Sequence, residues 1–479
     1  MAEHPLEYIF HPRHVAIAGA SPSTGGMGGG SFLNSIVEMG FKGPIYPINP
    51  RYDEIAGLKC YQSLRDAPTD VDYVISSVPA AVVPQLIEDC AAKNVKVVHF
   101  FTAGFSETGD EARTELEHTI MNRTKELGIR VIGPNCMGLY VPDVGLAFMG
   151  GFPKEKGRVA LLSQSGANAG EFVNSGALRG LRYSKAVSYG NAADLCDADF
   201  FDYVADDPET DIVASYMEGV RGGRHFVQAL KKAAARKPVV ILKGGRTTAG
   251  GRATRSHTAS LAGPIQVFDA LCRQAGAVRV ESMEELVDMV IAFKHVKKLT
   301  GPNAVVIVGG GGRSVLSADD INAEGLDVPH LPEETQEQMR SYVPAAGTSV
   351  RNPIDAMLGT DSAAQVKTLH IVAAAPNIDF LIYSGGFGPG PGRPSTPDQQ
   401  RPDANEQAKK QVDMLVEVQR ESGKPAIFVS GVPSTGQAFE GYQALLDAAS
   451  DAGIAVFPTM RRAALALSRL LKWQRQREE

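Results

Sequence analysis

The sequence predicts an α/β protein built from three consecutive doubly wound domains. Short β-branched runs alternate with helical stretches along the chain, the pattern of βαβ units whose parallel strands are buried on both faces. That rhythm restarts twice, near residues 158 and 304. A chain of 479 residues also has room for about three domains at roughly 150 residues each.

The first domain is expected over residues 1–150. Residues 14–19, 45–48, 73–78, 95–100 and 130–133 read as its strands. Between the third and fourth, Val82, Val83, Leu86, Ile87, Cys90 and Ala91 fall on one helical face, the spacing of an amphipathic helix. Right-handed crossovers then give a doubly wound sheet. The second domain, residues 151–299, starts at the strand 158–162 and continues through 211–217 and 238–242. The helix between the last two, residues 225–236, carries Phe226, Val227, Leu230 and Ala234 on one face. The third domain, residues 300–479, opens on the strand 304–308 and adds strands near 378–383, 426–429 and 454–457. Residues 385–405 break the pattern. Pro389, Pro391, Pro394, Pro397 and Pro402 make them neither helix nor central strand, leaving a solvated connector or a substrate-covering loop.

Composition excludes several classes. With 48 Lys+Arg against 54 Asp+Glu, the formal net charge is −6, the wrong sign for a nucleic-acid-binding surface. Hydrophobic residues at 43% and charged residues at 21% exclude global disorder. The cysteines Cys60, Cys90, Cys136, Cys196 and Cys272 are odd in number and widely spaced. Neither a disulfide framework nor a zinc knuckle is expected, and no metal ligands are assigned. The first residues show no signal-peptide pattern, and no apolar run approaches the ~18 residues that span a bilayer. A cytoplasmic protein without membrane contact is expected.

Three constellations are suited to chemistry. Directly after the first strand comes Gly19-Ala20-Ser21, opening a glycine-rich turn that runs to Gly30. Such a turn presents backbone N–H groups and a helix N-terminus to an anion. The spacing departs from GxGxxG, since Ser21 takes the place of the second glycine. No carboxylate ends the second strand, where an NAD protein holds the ribose. Arg51 stands there instead and suits a ligand with a phosphate near its ribose. The second constellation is Ser163-Gln164-Ser165-Gly166, again strand, tight turn, helix. It forms a site for an anion as small as phosphate, or a structural N-cap. The third is His257, in a small-residue, polar stretch read as a loop, with Ser256 and Thr258 beside it. Imidazole is a competent nucleophile near neutral pH. Glu218, at the end of the strand 211–217, is placed to orient such an imidazole by accepting its other ring N–H. The bland alternatives are a solvated histidine and a solvated strand end.

Residues 256–263, Ser-His-Thr-Ala-Ser-Leu-Ala-Gly, resemble the phosphohistidine loop of the NDP-forming acyl-CoA synthetases. That family includes the succinyl-CoA synthetase α subunit and the archaeal ADP-forming acetyl-CoA synthetases. Gly19-Ala20-Ser21, Ile48 to Arg51, Val78-Pro79, Phe101-Thr102-Ala103-Gly104-Phe105 and Gly133 to Gly138, with Asn135, resemble its CoA-binding domain. Ser163 to Gly166 resemble its phosphate-holding helix start, and Tyr216 to Gly219 the segment whose Glu steadies the phosphohistidine. Gly309 to Gly312, Ser317 to Asp319 and Asn352 to Asp355 resemble the third domain of the acetyl-CoA branch. The resemblance implies a Rossmann-like CoA-binding domain followed by two flavodoxin-like, succinyl-CoA synthetase-like domains. It implies the reaction acid + CoA + ATP ⇌ acyl-CoA + ADP + phosphate, with an acyl phosphate and a phosphoryl group carried on His257. CoA is a substrate. ATP or ADP with Mg is expected mainly on an ATP-grasp β subunit, because the chain reads as a stand-alone α subunit. The competing readings are an NAD-linked dehydrogenase, which the missing ribose carboxylate opposes, and a CoA-binding regulator or an acyl- or carbamoyl-transfer protein without ATP turnover.

Overall fold

Each of the predicted apolar runs contains a strand in the computed structural model, which describes residues 4–23, 28–258, 264–356, 362–385, 403–433 and 436–478. The chain divides into two compact units. The first comprises residues 1–177 and 182–283; the second comprises residues 178–181 and 284–479.

The first unit holds two large sheets, besides a two-stranded antiparallel ribbon of Glu54–Ile55 and Leu58–Lys59. In one, β1 (Val15–Ala18), β2 (Ile45–Ile48), β3 (Tyr73–Ser76), β4 (Val97–Phe100) and β5 (Arg130–Ile132) are all parallel, in the order β2-β1-β3-β4-β5. Every residue of β1, β3 and β4 is buried, as both-face coverage by helices requires. The other sheet contains β6 (Gly138–Tyr140), β7 (Lys156–Ser163), β8 (Tyr183–Ser188), β9 (Ile212–Met217), β10 (Val239–Lys243) and β11 (Val278–Val280). Its order is β11-β10-β9-β7-β8-β6, with only the edge strand β6 antiparallel.

In the second unit, β12 (Ala304–Ile307), β13 (Phe380–Ser384), β14 (Ala426–Val429) and β15 (Ala455–Phe457) run parallel in chain order. On the outer edge of β12, Ile354 bridges Ile307 in parallel. Its N–H donates to Val306 O at 2.7 Å, and Val308 N–H donates to Ile354 O at 3.0 Å. The three large sheets therefore share one plan. The second parallel segment lies outside the first, and the third and later ones lie on the other side. That reversal makes a switch point at the carboxyl ends of the first and third strands, where open α/β sheets bind ligands.

The strand β8 has no counterpart among the predicted runs. Its Lys185 is fully buried, 2.7 Å from Asp207 Oδ2 and 3.1 Å from Tyr203 Oη. The cation interrupts the apolar run that marks the other strands, yet it is tolerated because its charge is paired and hydrogen-bonded. All five cysteines are buried and free. No helix among the described residues is long and apolar enough to cross a membrane.

Candidate functional site

The switch point of the first sheet lies between β1 and β3. The chain leaves β1 at Gly19, whose φ is +85° and whose N–H donates to Ile48 O at 2.9 Å. A Cβ on Gly19 would stand 2.7 Å from Ser77 O, and one on Gly29 would stand 2.2 Å from Gly19 O. Glycine is thus required for the helix Gly29–Met39 to start this close to the strand end. Asn49 Nδ2 donates to Ala20 O at 2.7 Å and its Oδ1 accepts from Arg51 N at 3.0 Å. That side chain ties the end of β2 to the glycine turn and sets exposed Arg51 and half-buried Ser21 at this edge. Thr102 Oγ1 donates to Val78 O at 2.8 Å, and Thr102 O accepts from Asn135 N at 3.2 Å. Val78 and Pro79, residues 102–104 and Asn135 therefore follow neighbouring strand ends on one edge. Gly104 N–H donates to Glu107 Oε1 at 2.5 Å, and Glu107 Oε2 accepts from Asn191 Nδ2 at 2.9 Å. Through Glu107, this edge is fixed to the loop after β8.

The switch point of the second sheet lies between β7 and β9. Ser163 Oγ donates to Ser165 O at 2.7 Å and accepts from Ser165 N at 3.2 Å, while Ser165 Oγ accepts from Asn168 N at 3.3 Å. Both hydroxyls thus shape the start of the helix Gly166–Ala177, whose first N–H groups lack intrahelical partners.

Gln164 does something that the sequence reading did not foresee. Its amide grips the backbone after β9: Nε2 donates to Gly219 O at 3.0 Å, and Oε1 accepts from Gly219 N at 3.0 Å and from Glu218 N. Gln164 and Glu218 are both buried, so the grip joins the two strand ends in a water-poor place. Lys243, at the end of β10, donates from Nζ to Glu218 O and Gly244 O, each at 2.6 Å. Burial pulls its ammonium below the usual lysine range. Tyr216 Oη donates to Glu218 Oε1 at 3.2 Å. The signal for that contact was present, since residues two apart on a strand share a face. Gly219 and Lys243 also border a cleft of about 600 Å³ walled by Val220, Phe226, Val227, Val267, Phe268 and Leu271. Arg224 and Gln228 also line this cleft.

His257 differs from expectation in its backbone. It lies in the last turn of the helix Thr248–Thr258, not in a loop, while its side chain and residues 259–263 lie outside the described residues. Gly250 and Gly251 cost about 1 kcal/mol each in a helix interior. Tertiary packing offsets that cost: Gly251 and Thr254 are buried, and the helix lies against the turn Ser106–Thr108 that carries Glu107. The histidine helix and the strand-end edge of the first sheet are therefore neighbours within one compact unit. The loop expected over residues 385–405 falls almost wholly outside the described residues; helix Ala404–Ser422 begins at its end.

Comparisons with known proteins find relatives along most of the chain. Residues 13–142 match the family described as CoA binding domain, residues 156–293 the succinyl-CoA ligase like flavodoxin domain, and residues 304–387 the ligase-CoA domain. The chain is 37% identical to the Acetate–CoA ligase [ADP-forming] II subunit alpha of Pyrococcus furiosus, over 79% of this chain and 81% of that one. It is 32% identical to the corresponding I subunit alpha of the same organism, over 98% of both chains. It spans only 54% and 49% of the length of two further curated relatives. Its structure is similar to that of the Ca. Korarchaeum cryptofilum dinucleotide forming acetyl-coenzyme A synthetase 1 in complex with phosphate and ADP. The TM-score is 0.80 at 31% identity, covering 99% of this chain and 97% of that one.

Proposed function

The chain belongs to the NDP-forming acyl-CoA synthetase family, and from that premise we propose that it interconverts a carboxylic acid and its CoA thioester through phosphohistidine at His257. The observation that carries the proposal is the joining of Ser163 to Gly166 with Glu218 by the Gln164 amide. It sets a donor-rich helix start and a buried carboxylate together at one switch point.

In the acyl-CoA-consuming direction, phosphate attacks the thioester carbonyl, the C–S bond breaks and CoA leaves as the thiol. The His257 imidazole then attacks phosphorus of the acyl phosphate and the carboxylic acid departs. ADP finally takes the phosphoryl group from nitrogen. Glu218 accepts the second ring N–H of His257, which fixes the tautomer and steadies the imidazolium character that grows as the N–P bond forms. The helix start of Ser163 to Gly166 stabilises the phosphoryl oxygens. Such preorganised donors are the main protein contribution to phosphoryl transfer. CoA lies along Gly19, Ala20, Ser21, Val78, Pro79, Thr102, Ala103, Gly104 and Asn135, with Arg51 on its ribose-side phosphate. The nucleotide, with Mg, binds mainly on an ATP-grasp β subunit; the relatives named as α subunits support that division.

Incubating the purified chain with acyl-CoA and labelled phosphate is expected to give an acid-labile, base-stable mark, lost in His257→Ala and reduced in Glu218→Gln. A mark that persists in His257→Ala refutes the assignment. CoA titration should show saturable binding that Arg51→Glu weakens. Repeated turnover with ADP should require the second polypeptide.

A further inference from the structure

We propose that Tyr216 is a positioning residue for the phosphoryl-transfer step, holding the Glu218 carboxylate in the orientation that receives the imidazole. The inference rests on the reading of Glu218 given above. Tyr216 and Glu218 are two residues apart at the end of β9 and so share a face. The phenol donates to Glu218 Oε1 at 3.2 Å. Burial and the neighbouring carboxylate push the phenol above its ordinary range, so it keeps its proton and acts only as a donor to that oxygen.

The backbone of Glu218 is fixed independently by Gln164 and Lys243. Tyr216 adds restraint at the carboxylate itself. A carboxylate on a flexible side chain must lose rotamer freedom before it orients another group, and a hydrogen bond from a fixed phenol removes that freedom in advance.

The test is the single-turnover rate of His257 phosphorylation from acyl-CoA and labelled phosphate, measured in a double-mutant cycle on the full chain. Tyr216→Phe is expected to slow the rate about tenfold, the loss of one hydrogen bond to a charged group, with unchanged apparent KM for acyl-CoA and phosphate. In a Glu218→Gln background the same substitution should cost less than about twofold, because the charged acceptor is gone. Gly244→Ala gives a second route: its Cβ would stand 2.7 Å from Tyr216 Oη, displacing the phenol while keeping both Tyr216 and Glu218. It should slow phosphorylation in the same sense. Equal losses from Tyr216→Phe in both backgrounds would mean a general structural role and overturn the inference. So would a wild-type rate in Tyr216→Phe when Glu218→Gln is slow. A wild-type rate in Glu218→Gln would instead overturn the reading of Glu218 itself.

Discussion

Replacing Gln164 by Met tests whether the amide grip holds the site together. Methionine has nearly the same length and fills the same space, but it bonds to none of the three backbone groups that Gln164 satisfies: Gly219 N–H, Gly219 C=O and Glu218 N–H. The segment is buried up to Gly219 and emerges at Val220, which is 37% exposed. A buried polar group left without its partner costs about 1–3 kcal/mol. Because the segment has a route to solvent through Val220, the lower end applies, about 3 kcal/mol for the three groups together. In a compact unit of this size that corresponds to a fall in Tm of roughly 5 °C. Two readouts localise the effect. Hydrogen exchange should accelerate at the Glu218 and Gly219 amides, and His257 phosphorylation should slow. CoA affinity should remain, since the residues proposed to bind it belong to the other sheet. An unchanged exchange rate at residues 218–219, with Tm within about 1 °C of the parent, would refute the idea that Gln164 holds this segment.

Three further outcomes follow from named contacts. Gly29→Ala drives its Cβ to 2.2 Å from Gly19 O; the forced backbone shift should weaken CoA binding by roughly tenfold or more, read by calorimetry, and unaltered affinity would deny the turn a role. Asp288 is buried between Arg179, with Nη1 at 2.5 Å, and Arg462, with Nε at 2.6 Å, inside the second unit. Asp288→Ala should destabilise by about 2–3 kcal/mol, because half-buried Arg179 and Arg462 lose the counterion they share, and a loss below about 1 kcal/mol in denaturant titration would contradict it. Asp197 is fully buried, neither carboxylate oxygen has a hydrogen-bond partner of good geometry among the described residues, and burial raises its pKa to about 7 from 3.8. The native state therefore binds this proton more tightly than the unfolded chain, so stability falls as pH rises from about 4 to about 7. Asp197→Asn should gain on the parent across that window, by up to about 4 kcal/mol at its top, and keep the gain above it; a pH-independent difference would show that ionisation is not the cause.

Most strand positions, though not β6, β8 or β11, the restart of the pattern and the glycine turn after β1 were legible in the sequence. They depend on local chemistry: β-branched runs buried on both faces, and Gly19 at a φ of +85° that other residues resist. Residue types also pointed to Arg51, Glu218 and His257 as candidates, and the spacing of Tyr216 and Glu218 already implied one face. Tertiary structure decided what those residues touch. Gln164 reads locally as part of an anion turn, but its amide holds the backbone 54 residues away, a pairing with no local periodicity to announce it. The strand β8 was hidden by Lys185, because the Asp207 carboxylate that makes its burial tolerable arrives from a later helix end. The histidine stretch reads as a loop because glycine and threonine are weak helix formers. Packing, including that against the turn Ser106–Thr108, favours the helix, since burial against a distant surface outweighs a propensity difference of about 1 kcal/mol per residue.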